Sequence, residues 1–222
     1  NKHGLLQLIV NIAIPTLILV KGADTHYLTT VSAFCLAISI PLLYGIIDFV
    51  KSKRKNMFSI IGLFNIALTG GIGLLELPPQ WLAIKEGAIP FTIGLVIMIF
   101  TALKKPILTP VFHQVIDDKK VLAHLDSKKK AERYHYKLHI SSYLITVSFF
   151  MSAILNYILA KTIVVSPTGT DAFNKELGLM TALSFPVIAL PSTIMLVIIF
   201  LLIIKEIRTL TGLSLEEIIR HS

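Results

Sequence analysis

The hydrophobic and polar positions of this chain form long apolar runs that are separated by short charged stretches. The clearest example is Met57–Pro106, two apolar runs that are joined by a Pro-Pro turn and closed by Lys104, Lys105 and Pro106. Each run is about 20 residues long, enough for a helix to cross a hydrocarbon layer of roughly 30 Å. This stretch therefore predicts a transmembrane helical hairpin.

Six such runs can be drawn, and together they predict an all-α polytopic membrane protein built as three hairpins in series. The runs lie at 5–20, 28–50, 57–75, 82–103, 138–160 and 177–204. Hydrophobic residues make up 54% of the 222 positions and charged residues only 15%, with a mean hydropathy of +0.76. Because whole turns lack the polar face of a soluble helix, we expect residues 1–222 to form a single integral membrane domain.

Basic residues are divided unequally between the two sides of this predicted bundle. One side holds four of the 21, namely Lys21, Lys85, Lys161 and Lys175, and the other side holds the remaining 17. Since loops rich in Lys and Arg stay in the cytoplasm, both termini are predicted to be cytoplasmic. The net charge of +8 is then explained by topology, and we expect no nucleic-acid partner.

The 104–137 segment is predicted to be a basic, amphipathic cytoplasmic loop. Its apolar positions recur at helical spacing, as in a short helix that lies in the membrane interface: Leu108, Val111, Phe112, Val115 and Ile116. The lysines that follow favour contact with anionic lipid headgroups, and docking of a cytoplasmic partner is the alternative. A second short interfacial helix is expected near the C-terminus, with Ser214 as its N-cap and Glu217 at the capping-box position.

Several polar residues fall inside or at the ends of the predicted spans. Asn11 and Asn65 lie about ten residues from the cytoplasmic charges, near the bilayer midplane, where they either hydrogen-bond between helices or line a polar cavity. Five others are placed at the outer boundary: Lys85, Glu86, Asn156, Lys175 and Glu176. They either anchor helix ends or form a charged, outward-facing pocket.

Small and helix-breaking residues are the remaining features of the spans. Gly70, Gly71 and Gly73 indicate a close helix–helix approach, with a helix break that exposes carbonyl groups as the alternative. Prolines occur in four of the runs, and kinked helices are typical of transporters: Pro15, Pro41, Pro90, Pro186 and Pro191.

The sequence contains no catalytic motif. His135 and His139 are spaced i, i+4, a spacing that can chelate a metal, but no cysteine accompanies them. We find no nucleophile motif, phosphate loop or paired membrane carboxylates. The chain is therefore predicted to bind no metal or cofactor and not to be an enzyme.

Two segments carry a likeness to a known family. The first has Gly70-Gly71, Trp81, Lys85 and a helix that ends at Lys104-Lys105-Pro106, and the second has Asn156, Phe173-Asn174-Lys175 and the run 178–183. Over roughly 57–106 and 154–185 the chain resembles the intracellular septation protein A family of bacterial inner-membrane proteins. It is also similar to an uncharacterised sister family. Trp81 precedes Lys85 by four residues instead of adjoining it, and the 107–136 loop is longer than in that family.

The resemblance implies a bacterial inner membrane and a role in envelope biogenesis or septation, without an established reaction. The first hypothesis is thus a non-enzymatic scaffold that contacts other membrane proteins or a second copy of itself. The second is a small transporter or channel for a solute or a lipid, and it depends on the prolines, the glycine cluster and the charged outer helix ends.

Overall fold

A computed structural model of the chain describes residues 9–22, 28–51, 57–104 and 115–219, and within them the regular elements are all helical. A π-helical turn, Ile9–Ala13, leads into the first helix, and a second one, Phe185–Ala189, connects the seventh helix to the eighth. The helices are α1 (Ile14–Lys21), α2 (Thr30–Lys51), α3 (Met57–Leu74), α4 (Gln80–Ala102), α5 (Asp118–Ala123), α6 (Lys128–Ile163), α7 (Asp171–Ser184), α8 (Leu190–Thr211) and α9 (Leu215–Ile218).

The predicted all-α class is confirmed, and four helical stretches are long and apolar enough to cross a membrane. They are Thr30–Ile47, Gln80–Ala102, Lys128–Ile163 and Asp171–Thr211. Two shorter apolar stretches, Ile9–Lys21 and Phe64–Leu74, overlap the first and third predicted runs. Each of the six runs therefore overlaps a helix, whereas six crossings in three hairpins stay a prediction.

Both π-helical turns occur beside prolines. Pro15 follows the turn Ile9–Ala13 directly, and Pro186 lies inside the turn Phe185–Ala189. Proline has no N–H to donate to the preceding turn, and a π-helical turn is one way for the backbone to accommodate the missing bond. Pro41 and Pro90 lie inside α2 and α4 without such a turn.

The chain divides into two compact units. Unit 1 comprises Asn1–Gly87 and Ile154–Ile188, and unit 2 comprises Ala88–Ala153 and Ala189–Ser222. The core of unit 1 is apolar and includes Phe34 and Phe173, whose ring centroids are 6.1 Å apart. Burial of aromatic side chains of this size is a large stabilising contribution within a helical bundle.

Glycines bring the helices of unit 1 close together, but not at every position that the sequence indicated. A Cβ added at Gly73 would overlap the buried ring of Phe34, whereas at Gly70 it would touch Ile38 at an ordinary 3.6 Å. At Gly71 it would meet no described atom within 4 Å. The close approach is therefore made by Gly73, and by Gly178, where a Cβ would lie 2.9 Å from Val20.

Part of the predicted 104–137 loop is helical in the structure. Residues 128–137 are the first ten of helix α6, and residues 105–114, with most of the predicted interfacial helix, lie outside the described ranges. The charged beginning of helix α6 has partners: Arg133 Nε lies 2.6 Å and Lys137 Nζ 3.7 Å from the carboxylate of Glu206. Tyr134, between them, is buried in the core of unit 2.

The predicted capping box of the last helix is confirmed. Ser214 N donates to Glu217 Oε2 at 2.8 Å, and Glu217 N donates to Ser214 Oγ at 3.4 Å. Helix α9 is held in place within unit 2, because Ile218 is fully buried and its carbonyl accepts from Asp117 N at 2.8 Å. An isolated antiparallel bridge between Ile116 and Ile219 adds to this contact.

Replacing Gly73 by alanine should destabilise the protein by about 1–3 kcal/mol, because the new methyl group overlaps the buried ring of Phe34. Gly71→Ala is the matched control and should change the stability little, since the added Cβ enters open space. Thermal unfolding of the two variants in detergent checks this. Equal melting temperatures for both would show that the close approach at Gly73 is absent.

The carboxyl group of Glu217 has a pKa below its ordinary value, because the backbone N–H and the hydroxyl of Ser214 donate to it, with smaller contributions from His124 and Lys120. This stabilisation is present above the ordinary pKa of 4.5 and is lost as the pH falls through the lowered pKa. Ser214→Ala should move the pKa of Glu217 back toward the ordinary value, as read by NMR titration of the carboxyl. An unchanged titration would contradict the capping geometry.

Candidate functional site

A cavity of about 320 Å³ lies within unit 1. The π-helical turn before α1 contributes to its wall, as do helices α1, α2, α3, α4, α6 and α7. Its apolar wall includes Leu19, Ile38, Leu177 and both Pro15 and Pro41. Its polar wall consists of Asn11, Asn65, Thr69, Glu86, Asn156, Thr181 and Ser184.

An ion pair stands at one side of this cavity. Lys85 is only 6% exposed, and its Nζ lies 2.6 Å from Glu86 Oε1 and donates to Thr69 Oγ1 at 2.7 Å. Thr69 Oγ1 in turn donates to the carbonyl of Asn65 at 3.1 Å. A buried ammonium group needs such partners, because burial without them costs several kcal/mol. The pair therefore places a carboxylate on the cavity wall with its charge already compensated.

The polar wall offers both hydrogen-bond donors and acceptors, because the amide groups of Asn11, Asn65 and Asn156 carry both. Thr181 Oγ1 and Ser184 Oγ each donate at 2.8 Å to the carbonyl four residues earlier, as Thr69 does. Their protons are thus used within their own helices, and the lone pairs of their oxygens remain. Asn65 Oδ1 is buried without a hydrogen-bond partner among the described residues. The hydroxyl lone pairs and the asparagine amides together suit the cavity to a ligand that both donates and accepts hydrogen bonds.

The structure brings together candidates that the sequence placed at two depths. Asn11 and Asn65 were expected near the bilayer midplane and Glu86 and Asn156 at the outer boundary, yet all four line the same cavity. Lys85 is not part of the lining and acts through its contacts with Glu86 and Thr69. Of the two roles considered for Asn11 and Asn65, lining a polar cavity agrees with their position in the structure.

The other two members of the predicted outward-facing pocket lie elsewhere in unit 1. Lys175 is exposed on α7 and does not line the cavity. Glu176 instead closes the turn before α7: its carboxylate accepts from Val165 N at 2.9 Å, from Ser166 N at 2.8 Å and from Ser166 Oγ at 2.6 Å. The five-residue pocket that the sequence suggested does not form as one group.

Some polar residues of unit 1 were missed by sequence reasoning. Asn174 is 1% exposed, and its Nδ2 donates to the carbonyl of Thr30 at 2.9 Å, while Thr30 Oγ1 hydrogen-bonds to Asp171. Thr181 and Ser184 were missed because lone hydroxyls on apolar helices usually bond to their own backbone, which gives no signal in the sequence. Thr69 had a usable signal, since it lies four residues after Asn65 and so on the same helix face.

No family model matches the chain, and comparisons with curated proteins and with solved structures also found no match. The resemblance to the septation protein A family therefore stays a prediction from the residues that carry it.

Breaking the Lys85–Glu86 pair from one side should cost more stability than removing both charges. Glu86→Gln leaves the buried ammonium of Lys85 with only Thr69 and a neutral amide, and Lys85→Met leaves the carboxylate without its cation. We expect each single variant to unfold at a clearly lower temperature than the wild type and the double variant to recover part of the loss. Additive losses in this double-mutant cycle, measured in detergent, would contradict the coupling.

Proposed function

We propose that the protein is a polytopic, non-enzymatic membrane protein whose unit 1 cavity binds and passes a small neutral solute that both donates and accepts hydrogen bonds. One observation supports this most strongly: three asparagines and a carboxylate from separate helical elements, Asn11, Asn65, Asn156 and Glu86, line one half-open cavity in an otherwise apolar unit. In an apolar solvent such an arrangement is costly unless water or a ligand completes it. A scaffold held together only by packing has no need for it.

The electrostatics of the wall support a neutral solute. The carboxylate of Glu86 is paired with Lys85 inside the same unit, so the two charges offset each other. An anion would lie beside the carboxylate of Glu86, and a cation would compete with the ammonium of Lys85. Hydroxyl or amide N–H groups of an uncharged molecule satisfy the acceptors without bringing a new charge into the membrane.

The size of the cavity supports a small solute. Its volume of about 320 Å³ corresponds to roughly ten water molecules at liquid density. A polyol or a urea-like amide of a few non-hydrogen atoms fits there with some water. A lipid with two acyl chains is too large for this cavity.

The prolines that line the cavity support transport over static binding. Pro15 and Pro41 both line the cavity, and Pro15 follows the π-helical turn that carries Asn11. Interrupted helices with irregular backbone line the binding sites of many transporters, because the freed backbone groups can bond to substrate or water. We infer that the region of Asn11 and Pro15 moves when the solute enters or leaves.

The proposed setting is a bacterial inner membrane that the chain crosses six times, with both termini in the cytoplasm. The unequal distribution of basic residues supports this orientation. The helices over all six apolar runs are compatible with it. In this orientation residues 128–137 and the end of α8 face the cytoplasm.

A second candidate is a scaffold in envelope biogenesis or septation that contacts other membrane proteins or a second copy of the chain. It is favoured by the resemblance over 57–106 and 154–185, most of which falls in unit 1. Crosslinking in cells that recovers a reproducible partner, together with the absence of solute flux, would favour this candidate over transport.

Asn65→Leu should abolish solute flux without loss of stability. The substitution fills part of the cavity and removes a buried acceptor that has no described partner, so the fold loses no hydrogen bond of that atom. We expect purified wild-type protein in vesicles to speed glycerol entry several-fold over empty vesicles, as measured by light scattering after osmotic shock. The variant should return the rate to that of empty vesicles.

Thr16→Val provides the matched control. Thr16 Oγ1 is a second buried polar atom of unit 1 without a described partner, but Thr16 does not line the cavity. This variant should keep both the melting temperature and the glycerol flux of the wild type. Wild-type vesicles that admit glycerol and urea no faster than empty ones, or an Asn65→Leu variant with full flux, would reject the proposed function.

A further inference from the structure

One face of helix α8 combines an apolar stripe with two cations. Ile194, Ile198, Leu201, Lys205 and Arg208 recur at i, i+4, i+7, i+11 and i+14, which places them along one side of the helix. The three apolar residues are 51%, 52% and 56% exposed, respectively. The stripe from Ile194 to Leu201 is about 10 Å long, and the cations continue it toward the end of the helix.

A groove of about 670 Å³ lies at the end of this stripe, within unit 2. Gly212 ends α8 with a left-handed φ of 75° and turns the chain back, so that Leu213 and Leu215 form the groove together with Lys205 and Arg208. Leu213 is buried, whereas Leu215 is 44% exposed. The groove is thus a cationic recess with an apolar edge, and the apolar stripe runs into it.

The cations of the groove are not engaged by acidic groups of the described chain. Glu206, between them in sequence, pairs with Arg133 and Lys137 of α6 instead. The one carboxylate that lines the groove, Glu217, accepts two hydrogen bonds from Ser214. Two cations against one hydrogen-bonded carboxylate leave the recess with a net positive charge.

We propose that this groove binds the phosphate of an anionic glycerophospholipid, with Lys205 and Arg208 contacting the phosphate and one acyl chain lying along Ile194, Ile198 and Leu201. The guanidinium of Arg208 suits phosphate oxygens because its donors form a planar fork. The membrane-spanning stretch Asp171–Thr211 includes these cations near its end, the level at which headgroups lie. A soluble phosphate would use the cations but not the apolar stripe. This proposal does not depend on solute transport.

Lipid binding to the purified full-length chain in detergent tests the proposal, with native mass spectrometry as the readout. We expect the wild type to retain dioleoyl phosphatidylglycerol in preference to dioleoyl phosphatidylcholine. Lys205→Ala/Arg208→Ala should weaken retention of phosphatidylglycerol by about thirty-fold, on the basis of the usual contribution of each of the two cations near an anionic headgroup. Retention of phosphatidylcholine should not change.

Lys161→Ala/Lys175→Ala is the matched control, because it removes the same charge from exposed positions that the sequence places on the opposite side of the membrane. It should leave the lipid preference intact. If the control loses phosphatidylglycerol retention to the same extent, the preference comes from diffuse electrostatic attraction. If glycerol 3-phosphate binds as tightly as the lipid, the groove is a site for a soluble phosphate. Either result overturns the proposal, as does a wild type that retains both lipids equally.

Leu201→Asn keeps the proposal testable if the double variant unfolds. This single change leaves both cations in place and makes the acyl stripe polar at its most exposed position among the three. It should weaken retention of phosphatidylglycerol while the melting temperature stays that of the wild type. Unchanged retention in a folded Leu201→Asn protein would exclude an acyl chain on this face.

Discussion

The structure of unit 1 depends on how one buried cation is accommodated. Lys85 Nζ is held by Glu86 and Thr69, and Thr69 is itself bonded to the carbonyl of Asn65. These groups satisfy one another inside the helical unit, as a buried charge requires. This requirement brings α3 and α4 together at a polar contact, and it places the carboxylate of Glu86 at the wall of the cavity.

The polar chemistry of the cavity follows from the same requirement. Hydroxyl groups on membrane helices donate to carbonyls of their own helix, as Thr181 and Ser184 do, and so present only lone pairs to the space beside them. Adding the paired carboxylate of Glu86 and three asparagine amides gives a wall with both donors and acceptors and little net charge. A site of this kind selects by hydrogen bonding more than by charge, which is why a neutral solute fits it better than an ion.

Much of this arrangement could be predicted from the sequence, because lipid constrains it strongly. The apolar runs located every long helix, and the capping box at Ser214 and Glu217 was predicted from local spacing alone. Depth along the chain also singled out Asn11, Asn65, Glu86 and Asn156, although it did not show that they meet. Their position around one cavity depends on how separate helices pack against one another, and residue spacing within a single helix carries no information about that.

Other features could not be predicted for physical reasons. The charged residues 128–137 were predicted as part of a loop, but they belong to helix α6. Their partner Glu206, which pairs with Arg133, lies about 70 residues later in the chain, so the sequence gives no local signal for it. Glu176 was predicted as a pocket residue, but its carboxylate accepts hydrogen bonds from Val165 and Ser166 in the turn before α7.

A hydrated cavity in unit 1 is tested most directly by labelling with a thiol reagent. Because Cys35 is the only cysteine, a Cys35→Ser background allows Ser184→Cys at the cavity wall to be compared with Leu179→Cys, a half-exposed apolar position on the same helix. The account predicts that a charged, membrane-impermeant thiol reagent modifies the first in vesicles, more slowly when glycerol is present, and leaves the second unmodified. Equal reactivity of the two positions, or an inert Ser184→Cys, would contradict it.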